Sequence, residues 1–268
     1  MAAKNHHAEL IEKLTEGIRN LTFSEGWQRY LDVQSRFHRY SFANTLLIAA
    51  QRQEATQVAG FNAWQSLNRF VRKGERAIWI LAPMVYKRAG AEGDEDDRVI
   101  RGFKFVPVFD VAQTDGEALP TPCNRLDSDD PAGHFAQLVT VAESIGFTVE
   151  NHEFGSSTSG DCVYGLHRIR VEVTNRPAQR VKTLAHEITH ALLHEGHEDR
   201  ALAELEAEST AYVVCQALGL DSGDYSFGYV ATWAGGGDQA IARIKTSCGR
   251  IQKSAAIILR AFERAPEN

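Results

Sequence analysis

The 268-residue sequence is short of the features that mark exported, membrane-bound or disulfide-stapled chains. It has 4 cysteines, Cys123, Cys162, Cys215 and Cys248, and no two are close in sequence. Neither a disulfide framework nor a cysteine metal knuckle is indicated. Long apolar runs are also missing: clean stretches such as Leu46 to Ala50 fall far short of the roughly 20 residues that a membrane helix needs. The start of the chain, with Lys4, His6, His7 and Glu9, lacks the basic, apolar and small-residue sequence of a secretory signal. A cytoplasmic protein with reduced thiols and no membrane partner is expected. Basic charge is scarce too. With 29 Lys and Arg against 35 Asp and Glu the formal charge is −6, which as an average argues against a nucleic-acid partner.

Apolar residues at 43% and charged residues at 24% are globular proportions, and the length suits one large or two modest domains. Apolar positions recur with helical period over Leu10–Leu21, Trp27–Phe37 and Phe42–Ala50, and a short helix is expected over Asn62–Phe70. Ala77–Tyr86 and Phe103–Val111 are β-rich and flank a Gly- and acid-rich stretch, Glu92 to Asp97 within it, as in a long-looped hairpin. Gln113–Ala132, with Pro120, Pro122, Pro131 and four Asp, reads as a linker. Beyond it a helix is expected over Ala132–Ile145. Short strands follow at Phe147–Val149, Cys162–Tyr164 and Ile169–Val173, then helices over Pro177–His194, Arg200–Leu218 and Asp238–Arg264. No repeat is visible. The expectation is an α+β chain: residues 1–125 forming a helical N-terminal domain with a β-hairpin, and residues 126–268 forming a second α+β domain.

One motif carries chemistry. In Leu184-Ala185-His186-Glu187-Ile188-Thr189-His190 the two histidines are one turn apart, so both imidazoles leave one helix face and can grip one Zn²⁺. Glu187, turned by about 100°, can reach a metal-bound water, as in metallopeptidases. Leu184, Ile188, Leu192 and Leu193 would bury this helix, and inward imidazoles with a carboxylate need a reason to be there. The metzincin extension is excluded, because Leu193 and Gly196 stand where it requires Gly and His.

The next helix offers Glu204, Glu206 and Glu208. Glu204 and Glu208 share a face, whereas Glu206 points some 200° from Glu204. In an antiparallel helical hairpin centred on position 197, His190 meets Glu204 and His186 meets Glu208. That pairing favours Glu204 as third ligand and Glu208 as the acceptor that fixes a histidine tautomer, without forbidding the reverse. His194 is a weaker ligand choice, otherwise readable as a helix-end cation beside the dipole.

Lys182 to Tyr212 resembles the ImmA/IrrE-type zinc metallopeptidases. The resemblance implies a zincin-like second domain, His186, His190 and Glu204 as ligands of one Zn²⁺, and Glu187 as general base. Glu208 stands where that group often has Asn or Asp.

The −6 average hides a division. Residues 1–125 hold 17 basic and 15 acidic residues, residues 126–268 hold 12 and 20, and Arg19–Arg88 alone holds 11 against 4. Aromatics are interleaved there, Trp27, Tyr30, Phe37, Tyr40, Phe42, Phe61, Trp64 and Phe70, as a single-strand-binding groove requires, although Trp27, Tyr30 and Phe37 also fall at core spacing. Arg36 to Ile48, Gly60 to Trp64, Arg69 to Pro83 and Val108 to Thr114 resemble the N-terminal domain of ArdC-type antirestriction proteins. That resemblance implies single-stranded DNA binding joined to a metallopeptidase domain. Candidate DNA contacts are Arg36, Arg39, Tyr40, Trp64, Arg69 and Lys73.

The expected function is a zinc metallopeptidase acting on a protein or peptide substrate and localised by single-stranded DNA, with Ile169–Val173 as the edge strand that holds substrate. The alternative is a DNA-binding antirestriction protein whose zinc site is structural or vestigial. Metal-assisted DNA hydrolysis fits less well, since nucleases favour carboxylate-rich Mg²⁺ sites.

Overall fold

A computed structural model describes residues 2–21, 24–87, 98–117, 133–155, 158–220 and 237–263. The acid run Glu92 to Asp97 and most of the expected linker lie outside the described residues. Contacts divide the chain into two compact units, each assembled from two stretches: Met1–Gly17 with Ala43–Leu119, and Ile18–Phe42 with Pro120–Asn268.

The first unit contains most of helix α1 (Ala2–Asn20), most of α3 (Phe42–Gln51), α4 (Phe61–Ser66) and five strands. Strands β3 (Ile78–Lys87) and β4 (Arg98–Asp110) form a long antiparallel hairpin, with Ile78 opposite Val108 and Lys87 opposite Arg98. The short β1 (Val58–Ala59) pairs with the far side of β4, so β3 is an edge. That edge is covered by side chains. The Asn44 amide exchanges hydrogen bonds with Leu81 N and O (2.7 and 2.9 Å), and Gln51 does the same with Trp79 (3.0 and 2.9 Å). Seven residues apart on α3, the two amides share one helix face and stand in for a neighbouring strand.

Two expectations change in this unit. The helix expected over Asn62–Phe70 ends at Ser66; Asn68 takes a left-handed conformation (φ 52°) and Arg69 begins β2 (Arg69–Val71), which pairs with β5 (Thr114–Gly116). A Cβ on Gly116 would lie 2.2 Å from Asn68 O, so this approach requires glycine. The expected linker therefore starts later than Gln113. That residue is buried and closes a reciprocal cap with Asp110, accepting from the Asp110 amide at 2.9 Å.

The second unit is built on a three-stranded sheet. Its order is β6 (Thr148–His152), β8 (Arg168–Glu172), β7 (Gly160–Val163), with β6 parallel and β7 antiparallel to β8. The expectation that Ile169–Val173 forms an edge is thus corrected: β8 is the middle strand, with Ile169 and Val171 fully buried, and the edge beside the next helix is β7. Helices α5 (His134–Ser144), α6 (Pro177–Leu193), α7 (Arg200–Ala217) and α8 (Gly237–Glu263) complete the unit together with α2 (Ser24–Arg36). Leu184, Ala185 and Ile188 of α6, Ala207, Ala211 and Val214 of α7, and Ile244, Ile251 and Ile258 of α8 have no exposed surface. Alanines on α7 let its neighbours approach closely. The fully buried Trp27 of α2 donates to Ser209 Oγ at 3.0 Å, and Tyr212 OH donates to Asp32.

Candidate metal centre

Helices α6 and α7 place the motif residues. The C-terminal turns of α6 lead through Gly196 (φ 70°) into α7, whose first turn is capped by Asp199 accepting from Leu202 N at 3.1 Å. Across this hairpin His186 Nε2 and His190 Nε2 lie 3.0 Å apart, and Glu204 reaches both, at 3.3 and 3.7 Å. Among the described residues His186, His190 and Glu204 form the one group able to offer a metal three ligand atoms, all within 4.8 Å of one another. Two neutral-capable imidazoles and a carboxylate are a zinc-type donor set, and the residues present fit such an ion.

Glu208 occupies the other side of His186. Its carboxylate lies 3.3 Å from Nδ1 and 2.8 Å from Lys182 Nζ. Burial alone would lower the His186 pKa, but Glu204 and Glu208 outweigh it and raise it to about 9. Glu204 is held well below the usual carboxylate range by the two histidines. Glu187 is buried, and burial pushes its carboxyl upward, partly offset by His186 and His190. It faces a cleft of about 210 Å³ also lined by Ser159, Gly160, Thr183 and His186. Gly160 is the first residue of β7. A Cβ there would lie 2.5 Å from Thr183 Cγ2 and 3.2 Å from Glu187 Cγ, so the edge strand and the motif helix touch only because this residue has no side chain. The nearby Cys162 thiol is pushed up to about 12, by burial first and then by Glu187, and so stays protonated.

His194 does cap the end of α6, as the alternative reading of the sequence had it, but it does so from a buried position. Burial lowers its pKa despite a hydrogen bond to Glu206. Its Nδ1 lies 3.0 Å from His190 Nδ1, and its Nε2 lies 3.1 Å from Glu206 Oε2. Glu206 is fully buried and ion-paired with Arg250 of α8 at 2.8 Å. The sequence reading set Glu206 aside for facing away from Glu204. An acid inside an apolar helix nevertheless demands a partner, and that demand was the available signal.

The candidate DNA contacts are divided between the two units. Arg36, Arg39 and Tyr40 belong to the second unit, and Trp64, Arg69 and Lys73 to the first. Arg36, Arg39 and Lys73 are exposed and Tyr40 is half-buried. Trp64 is a core residue, 2% exposed, donating to Phe109 O at 2.8 Å, so it offers no face to a base. The Arg69 guanidinium is taken up by β5, donating to Thr114 Oγ1 at 2.8 Å and to Thr114 O at 3.0 Å. Trp27, Tyr30 and Phe37 are likewise buried, whereas Phe61 and Phe70 are exposed.

Comparison with known proteins agrees with both halves of this description. A family model for the N-terminal domain of anti-restriction factor ArdC matches residues 2–109, and a peptidase-family model described as an IrrE N-terminal-like domain matches residues 142–217. The chain is thus similar to an ArdC-type N-terminal domain in its first part and to an IrrE-like domain in its later part. The IrrE-like domain contains all the motif residues, from His186 to Glu208, and ends before α8. Crystal structures of the antirestriction ArdC protein from the R388 plasmid share the fold. The metal-free form has TM-score 0.52 at 22% identity and covers 83% of this chain and 84% of that one; the Mn(II)-bound form has TM-score 0.51 at 22% identity and covers 84% of each. An uncharacterized protein of Bacillus anthracis, pXO2-81, is 22% identical over 97% of this chain. The chain spans about half of that relative's length, 52%.

Proposed function

We propose that this ArdC-type chain is a metallopeptidase directed by single-stranded DNA and acting in antirestriction or regulatory proteolysis. The observation that carries the peptidase half is the convergence of His186, His190 and Glu204 beside the buried carboxyl of Glu187. These three residues would hold one metal ion, zinc by the chemistry of the donor set, although the R388 relative has been crystallised with Mn(II). When bound, the ion polarises a peptide carbonyl and acidifies a water. Glu187 would accept a proton from the attacking water and pass it to the leaving amine, and burial raises its pKa in the direction a general base requires. Glu208 accepts from His186 Nδ1 and so turns the Nε2 lone pair toward the ion. An extended substrate can lie along the outer edge of β7, which pairs with no further strand among the described residues, next to Glu187.

Glu187→Gln tests this assignment. Cleavage of a susceptible protein should fall by roughly 10²–10⁴-fold with metal content unchanged. Undiminished antirestriction activity in that variant, with metal still bound, would favour the alternative of a DNA-binding protein with a structural site.

The ArdC-type domain and the +7 balance of Arg19–Arg88 support a single-stranded DNA partner. We assign residues 1–125 to DNA recognition and residues 126–268 to hydrolysis. The contacts we assign are, on the first unit, exposed Lys73 and the exposed rings of Phe61 and Phe70, and, separately on the second, exposed Arg36 and Arg39 with half-buried Tyr40; the buried Trp64 and the Arg69 guanidinium, held by Thr114, drop out. Affinity for an oligonucleotide should fall steeply with salt, by about 0.7 log units per decade for each phosphate neutralised. A flat response would overturn this part.

A further inference from the structure

Three residues outside the proposed ligand set form a continuous line into it. His194 lies between His190 and Glu206, and Glu206 lies against Arg250. His194 is 4% and Glu206 0% exposed. Arg250 also donates to the Leu193 carbonyl at 2.9 Å, in the last turn of α6. Glu206 Oε1 has no hydrogen-bond partner among the described residues. His194 and Arg250 are therefore what compensates this buried acid.

We propose that Arg250, Glu206 and His194 are positioning residues that fix the tautomer of His190, so that α8 completes the metal centre. The inference rests on His190 being a ligand. Its logic is directional. A carboxylate paired with a guanidinium can only accept, so His194 must donate from Nε2. The His194 Nδ1 is then an acceptor, and His190, 3.0 Å away, must donate from its own Nδ1. The lone pair of His190 is left on Nε2, the atom that faces His186 and Glu204. His186 has an acceptor for its Nδ1 proton by a shorter route, in Glu208. Acids of α7 thus stand behind Nδ1 of both histidines, one directly and one through an intervening imidazole. Arg250 is 33 residues beyond the end of the matched IrrE-like segment at position 217, so this support is supplied by a helix outside that segment.

The test uses the full chain. In metal-free protein labelled with ¹⁵N-histidine, two-bond ¹H–¹⁵N spectra should show His190 as the Nδ1–H tautomer and His194 as the Nε2–H tautomer. His194→Phe keeps a buried ring but removes both nitrogens. It should leave His190 in mixed tautomers and weaken Zn²⁺ binding, measured against a chromophoric chelator, by about 10–100-fold. Glu206→Gln should weaken binding in the same direction, and Arg250→Lys, which keeps the charge, should restore most of the loss seen in Arg250→Ala. Co²⁺ spectra of each variant report the ligand field independently of turnover. If His190 is the Nε2–H tautomer in the metal-free parent, or if His194→Phe and Glu206→Gln bind Zn²⁺ like the parent, the relay is overturned while the ligand assignment stands. If the parent binds no Zn²⁺, the metal reading fails, and the tautomers still decide the relay.

Discussion

At the scale of single residues, the site divides by how far each group lies from its partners in sequence. His186, Glu187 and His190 were legible because one helix carries them, and the 3.6-residue period alone fixes their directions. Glu204 and Glu208 needed one further assumption, that α6 and α7 form an antiparallel hairpin about position 197. His194, Glu206 and Arg250 were beyond that arithmetic: Glu206 looks away from Glu204, and Arg250 arrives on a helix whose place no local pattern sets. Trp64 shows the converse failure, since its composition suited a stacking platform while its indole was needed for Phe109 O. Another buried acid yields a prediction of its own. Glu172, at the end of β8, accepts from Phe154 N at 2.8 Å, from Thr174 N at 3.0 Å and from the Thr174 hydroxyl at 2.8 Å, and these bonds hold its carboxyl below the usual range. A depressed carboxyl contributes stability above its unfolded value of about 4.3, and that contribution is lost as pH falls through the folded value. Urea unfolding should show Glu172→Gln less stable than the parent at pH 7, with the gap closing below about pH 4; a gap independent of pH would remove the assignment.

At the scale of elements, helices and strands were read well wherever one period ran long enough, and poorly where tertiary contacts cut it short. The α4 pattern continued to Phe70 in sequence, but Asn68 and the pairing of β2 with β5 ended it. The cover of the β3 edge by Asn44 and Gln51 had no sequence signature, because two amides on a helix are ordinary until a strand lies beside them. Likewise, the order β6, β8, β7 could not follow from three short runs, and it moved the substrate edge from Ile169–Val173 to β7. The contact of that edge with α6 can be tested through Gly160. Gly160→Ala drives a methyl into Thr183 Cγ2 and should cost about 1–3 kcal/mol by overpacking, with reduced turnover as β7 shifts from Glu187. Combining it with Thr183→Ser, which removes that methyl, should recover part of both losses in thermal melts and cleavage assays. No recovery would mean that the strand and helix are not coupled through this contact.

At the scale of the whole molecule, length and the charge difference led to the expectation of two consecutive parts divided near residue 125, but no sequence pattern showed that α2 would pack with the later stretch. The hydrophobic period of α2 established a buried face without naming what buries it. Trp27, fully buried and bonded to Ser209 one residue after Glu208, makes this packing matter to the site. Trp27→Ala should destabilise the second unit by about 3–5 kcal/mol and weaken metal retention in the same variant; urea unfolding and metal content measure the two effects. Full stability in that variant would show that α2 is not part of the second unit's core.

The 182 residues between Trp27 and Ser209 also set a clock. A ribosome adding about 5–20 residues per second needs roughly 10–35 s after making α2 before its partner helix exists. Through that interval α2 presents Trp27 with no surface of α7 to cover it, while residues Ala43–Leu119, the longer stretch of the first unit, are being synthesised. The second unit therefore cannot complete the packing of α2 against α7 until α7 has emerged.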